Sequence, residues 1–118
     1  MANVNQRVTD FFIPIARDVI GNNNVFANRQ PLDTGFPSIV FTFVGENIVP
    51  VYGGPMRDVI AMRYDLRAQA VADLYELDSN LRSRLLRSGR MITDSGAVDI
   101  YDDEFSVHRR VRTLGFRL

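Results

Sequence analysis

The sequence predicts an α+β fold: a mostly antiparallel sheet of four or five strands with two helices packed on one face. Three observations lead there. The hydrophobic patterns come in the order helix, strands, helix, strands, which groups strands together instead of alternating them in βαβ units. The 118 residues, 46% apolar and 24% charged, suffice for one core and not for two, so residues 1–118 read as a single domain. Cysteine is absent, so the core must hold without disulfides or thiolate metal sites.

The first helix is expected over about 4–20, where Val8, Phe11, Phe12, Ile15 and Val19 recur at steps of three and four. Pro14 falls inside it and removes a backbone bond, which predicts a kink or a restart near Phe12. Gly21 and the Asn22-Asn23-Asn24 run end it, because both residue types tolerate the left-handed conformation that closes helices. A short strand over about 25–29 follows. Pro37 then opens a strand over about 38–47, whose Ile39-Val40-Phe41 run is apolar on both faces and fits a sheet covered on both sides by helices or a neighbouring subunit.

Gly45 to Pro55 is rich in breakers and reads as an exposed, partly apolar loop. The strand over about 56–68 alternates, with Met56, Ile60, Met62, Tyr64 and Leu66 on one side and Arg57, Arg63, Asp65 and Arg67 on the other. The second helix, about 69–87, carries Ala70, Leu74, Leu77, Leu81 and Leu85 as a stripe. Its acids come first and its bases last, as the helix dipole favours, and Asp78 and Arg82 are spaced as an i,i+4 pair. Gly89 stops it. Strands over about 91–101 and 105–117 then form a hairpin around the acidic turn Asp102-Asp103-Glu104.

Charge and hydropathy narrow the function classes. Fourteen acids balance fourteen bases, so the basic excess of most nucleic-acid binders is missing. All fourteen bases are arginine, which is equally the mark of a GC-rich genome or of selection for a rigid, bidentate guanidinium. Apolar runs such as Ile39–Phe43 fall far short of the roughly 20 residues that span a bilayer, and no signal-peptide pattern opens the chain, so the expected compartment is cytosolic, with no membrane partner.

A search for chemistry returns little. His108, the one histidine, sits between Val107 and Arg109 in a strand, with Glu104 the nearest orienting partner. Asp99, Asp102, Asp103 and Glu104 could hold a hard cation, but their spacing matches no EF-hand, and a solvated hairpin tip is the simpler reading. Gly53-Gly54 is no phosphate loop, since no Lys-Ser/Thr follows. No catalytic, cofactor-binding or metal residue is assigned, and the chain is expected not to be an enzyme. The competing reading is a small α+β enzyme or ligand-binding dimer using His108, Tyr101 and Arg110; single-stranded nucleic-acid binding needs an aromatic row, of which the alternating strand offers only Tyr64.

What stands out instead is surface. Exposed apolar side chains mark contact sites, which makes Val49, Val51, Tyr52 and Met56 interface candidates. Arg109, Arg110 and Arg112 on the last strand, and the carboxylates Asp102, Asp103 and Glu104, are the charged candidates. A subunit's arginines meeting the next subunit's acids would form a heterologous contact, which closes into a ring when the rotation allows.

The residues Val25-Phe26-Ala27-Asn28-Arg29-Gln30-Pro31 and Phe36-Pro37-Ser38-Ile39-Val40-Phe41 resemble the opening of the tail-terminator or tail-completion proteins of long-tailed bacteriophages. The strand into helix Arg63-Tyr64-Asp65-Leu66-Arg67-Ala68 and the closing Val98-Asp99-Ile100-Tyr101-Asp102-Asp103-Glu104, His108-Arg109-Arg110 and Gly115-Phe116 are similar to that family's pattern. The likeness covers roughly residues 10–118, with Pro14 and the Gly45–Pro55 stretch as departures. It implies a homo-hexameric ring in the virion's tail or neck, assembled in host cytoplasm, that caps the tail tube, stops its polymerisation and joins it to the head-side connector or stopper. Duplex DNA would pass through the lumen without specific binding. A head-tail stopper or connector is the neighbouring alternative. A body roughly 35 Å across, from length scaling, would leave a gap as wide as itself at the centre of six.

Overall fold

The computed structural model describes residues 4–31, 34–49 and 57–117. Helix α1 spans Val4–Ile20, β1 Val25–Ala27, β2 Ser38–Val49, β3 Arg57–Ala68, α2 Val71–Arg87, β4 Met91–Asp102 and β5 Val107–Phe116. The strands form one sheet in the order β1-β2-β3-β5-β4. β1 runs parallel to β2, with Val25 opposite Ile39, and the other pairs are antiparallel. The fold is α+β, with a mixed, mostly antiparallel sheet.

The alternation of β3 decides where the core lies. Ile60, Met62, Tyr64 and Leu66 are buried on one face together with Ile39 and Phe41 of β2 and Leu114 and Phe116 of β5. Both helices pack there: α1 through Val8, Phe12, Ala16 and Ile20, α2 through Leu74, Leu81 and Leu85. Fully burying such side chains stabilises by about 1.5–3 kcal/mol each. The Phe12 ring lies 5.2 Å from Phe41 and 6.0 Å from Tyr64, and Phe11 meets Phe116 edge-on at 5.4 Å. These contacts fasten α1 to the centre of the sheet.

Three expectations are corrected. α1 runs through Pro14 without a restart. Pro14 is exposed, as is Asp10, whose carbonyl loses its partner, so water can satisfy the freed group. β2 continues to Val49, taking in part of the Gly45–Pro55 stretch that reads as a loop. The register shifts between Phe43 and Gly45, and pairing with β3 then resumes, from Gly45 opposite Ala61 to Val49 opposite Arg57; a bulge absorbs the breaker and keeps the ladder. Finally, Asp78 and Arg82 do not pair with each other. Asp78 is buried among the leucines of α2 and both residues bond to the sheet instead.

Loop chemistry joins the layers. Asn22 accepts from the Asn24 backbone N–H at 2.8 Å and donates to the Pro37 carbonyl at 3.1 Å, so the asparagine run that ends α1 also ties it to the start of β2. On the sheet face away from the helices, Gly115 packs between β3 and β4. A Cβ there would overlap Thr93 Oγ1 and come within 2.8 Å of Val59 Cγ1. Only glycine fits this approach.

Candidate functional site

Strand alternation splits the arginines of β5. Arg110 and Arg112 share the face of Leu114 and point toward α2, while Arg109 points to the other face. Position 78 of α2 lies four residues after Leu74 and three before Leu81, inside the buried register. An acid there must find partners, because an unpaired buried charge is costly.

It finds three. Asp78 Oδ2 accepts from Arg110 Nε at 2.8 Å and Arg112 Nη2 at 2.7 Å, and its Oδ1 accepts from the Tyr64 hydroxyl. The Arg112 side chain is only 8% exposed. Its Nη1 reaches both oxygens of Asp94 at 2.9 Å, Asp94 accepts from Arg82 Nε at 2.6 Å, and Arg110 Nη1 reaches Asp99 at 2.7 Å. Tyr75 closes the outer rim, donating its hydroxyl to Asp99 at 2.9 Å with its ring under the Arg110 guanidinium.

The network sets its own ionisation. Burial pushes the Asp78 carboxyl up, but hydrogen bonds from Arg112, Tyr64 and Arg110 outweigh it and hold the group below the usual carboxylate range. Burial likewise opposes Asp94, and Arg82, the Gly96 N–H and Arg112 bring it down to about 2. Burial and the neighbouring Asp78 push the Tyr64 hydroxyl far above its ordinary value. Asp78 and Asp94 are thereby favoured as carboxylates, Arg110 and Arg112 as cations and Tyr64 as the neutral donor, as an ionic clasp between helix and sheet requires.

On the opposite face, Arg109 makes a fork to Asp65, with Nε 3.1 Å and Nη2 2.5 Å from Oδ2, and Arg67 Nη2 lies 3.2 Å from the same oxygen. The hydrogen bond from Arg109 comes first in holding its guanidinium protonated above the ordinary arginine range. Arg109, Arg110 and Arg112, offered by the sequence as charges for a neighbour, are therefore matched to carboxylates of their own chain.

The other sequence candidates fall elsewhere. Asp102 Oδ1 accepts from the Glu104 and Phe105 backbone N–H groups and shapes the β4–β5 turn, while Asp103 and Glu104 are exposed at its tip. Val51, Tyr52 and Met56 lie outside the described residues, as does the side chain of Val49 at the end of β2. His108 is half-buried, its ring 4.9 Å from that of Tyr101 across the hairpin. Arg110, its partner in the enzyme reading, is committed to Asp78 and Asp99. Among the described residues no group of three His, Asp or Glu side chains could hold a metal ion, and no described helix is long and apolar enough to cross a membrane.

No family model matches the chain, and no curated protein matches it. A solved structure does. A chain in the virion of a native gene transfer agent particle superposes with a TM-score of 0.54 at 9% identity, over 86% of this chain and 82% of that one. The likeness is one of fold, and it spans more than four fifths of both chains.

The clasp is what the sequence reading missed. Its signals were present: an acid at a buried helical register, and arginines two apart on a strand, which alternation puts on one face.

Proposed function

We propose that this protein is a structural component of a virion: a ring-forming tail terminator that caps the tail tube, halts its growth and meets the head-side connector, with no catalytic step. The observation that carries the reading is the fold likeness, over more than four fifths of both chains, to a chain of a gene transfer agent virion, together with the resemblance of the sequence to the tail-terminator family. A two-layer body stiffened by a buried ionic clasp suits a part whose work is done by its surfaces.

The shape bears on a ring. The body measures 50 × 28 × 23 Å with a radius of gyration of 14.8 Å, so it is elongated and not the sphere that length scaling assumes. Six copies set with the 28 Å axis along the circumference and the 23 Å axis radial leave an opening of roughly 30 Å, enough for duplex DNA. Passage without binding fits a chain of zero net charge.

Deleting the gene in its particle tests the reading. The expected result is tails of unregulated length that fail to join heads, with the purified protein binding the end of isolated tubes. Binding to the portal side alone would assign the chain to the stopper, and intact particles without it would refute a structural role.

A further inference from the structure

β4 is the edge strand of the sheet, paired to β5 on one side only. Five of the nine large apolar side chains exposed among the described residues lie along it or in the turn that follows: Ile92, Val98, Ile100, Tyr101 and Phe105. Lone exposed apolar residues are ordinary, but Val98 and Ile100 stand two apart on one face of an unpaired strand edge, with Tyr101 on the other face, and apolar groups so placed along an edge mark a contact surface.

Charge brackets this edge. Where β4 begins, Arg87, Arg90 and Arg117 are exposed and make no ion pair among the described residues, and Arg117 N donates to the Arg90 carbonyl at 2.9 Å, so these two sit side by side. At the far end the turn carries Asp103 and Glu104, also exposed and unpaired among the described residues. The helix dipole accounts for Arg87 at the end of α2, but not for Arg90, Arg117, Asp103 or Glu104, which lie off the helix. Twelve residues of strand put roughly 35–40 Å between the two ends.

We infer that a second copy of this chain docks on the β4 edge, antiparallel about a two-fold axis near Gly96, so that the Arg87–Arg90–Arg117 end of each copy meets the Asp103-Glu104 turn of the other. A surface basic at one end and acidic at the other complements itself only in the antiparallel sense, and the two-fold repeats the match at both ends. Val98 and Ile100 of each copy then flank the seam on one face, and Tyr101 on the other, between two charged ends. Gly96, with open space where a side chain would stand, leaves room near the axis. An isologous contact differs from the head-to-tail contact of a polar ring, so this dimer is the form of the free chain, and the inference stands apart from the virion reading.

The test is the solution mass of the whole chain by analytical ultracentrifugation at low ionic strength, with three variants. The wild type is expected at twice the chain mass. Arg87→Glu, Arg90→Glu, Arg117→Glu in one variant, and Asp103→Arg, Glu104→Arg in another, should each weaken dimerisation about tenfold or more, increasingly so as salt falls. Asp102 is left in place because it shapes the turn. Mixing the two variants, or combining both sets in one chain, should restore the dimer, which a merely misfolded variant would not do. A second measurement uses the absence of cysteine: Ser95→Cys, near the axis, should crosslink to itself on mild oxidation. A wild-type monomer, a dimer indifferent to both reversals, or reversals that mixing fails to rescue would each overturn the inference. Any of these would leave tube binding, the measure of the virion reading, unaffected.

Discussion

Arg112 of β5 and Asp78 of α2 meet with Nη2 2.7 Å from Oδ2, both side chains under a tenth exposed. A carboxylate in a helix's leucine register is held by a guanidinium that is itself buried and whose other terminal nitrogen reaches Asp94. Each justifies the other, and Tyr64 and Arg110 complete the set.

Removing one member strands the rest. Asp78→Ala leaves two guanidinium groups facing a cavity and should cost about 3 kcal/mol or more, read as a shift in the denaturant midpoint at constant slope. Tyr64→Phe removes one neutral donor and should cost about 1 kcal/mol. A double-mutant cycle should give a non-zero coupling between positions 64 and 78.

Acid should loosen the same clasp. Asp94 lies at about 2 in the folded chain, below its ordinary value of 3.8, and Asp78 is also depressed. A depressed carboxyl stabilises above its unfolded pKa and loses that contribution as pH falls through the folded one. Melting temperature should therefore hold near pH 5 and drop between about 4 and 2. For Asp94 the loss is on the order of 1 kcal/mol, allowing for the water that reaches one side of it. A flat profile across that window would contradict the assignment.

Position 115 tests the packing of the sheet's other face. Gly115→Ala forces a methyl against Thr93 and Val59 and should destabilise by about 1–3 kcal/mol. Thr93→Ala in the same chain should recover part of it, because it removes the atom that the methyl would overlap.

Arg112 within β5 and Arg117 just past its end should behave differently. Arg112→Glu places a carboxylate beside Asp78 and Asp94 and should unfold or strongly destabilise the chain, whereas Arg117→Glu, exposed and unpaired, should change the stability of the dissociated chain by no more than about 0.5 kcal/mol. Thermal melts at low protein concentration separate the two.

The sheet was legible because periodicity is a local signal. The alternation of Ile60, Met62, Tyr64 and Leu66 and the leucine spacing of α2 survive in the structure almost residue for residue. Less legible was anything that depends on which strands become neighbours. The bulge after Phe43, which carries β2 past Gly45, exists because β3 lies alongside. Arg109, Arg110 and Arg112 look like one basic cluster in a line of text, and only the pairing of β5 with β3 and the packing of α2 divide them between Asp65 and Asp78. The i,i+4 spacing of Asp78 and Arg82 is visible in sequence, whereas a carboxylate's partners across a sheet are not. At the β4–β5 turn Asp103 and Glu104 are exposed, as a solvated tip requires, while Asp102 is half-buried and shapes the turn; Arg87, Arg90 and Arg117 are among the exposed arginines with no ion pair among the described residues.

The length of tail tubes grown with and without this protein tests the account most directly. Purified tube protein polymerised in its presence should give tubes that stop elongating, with this chain at one end only, seen by electron microscopy. Tubes that grow to the same lengths with it as without it, or that carry it along their sides, would contradict the account.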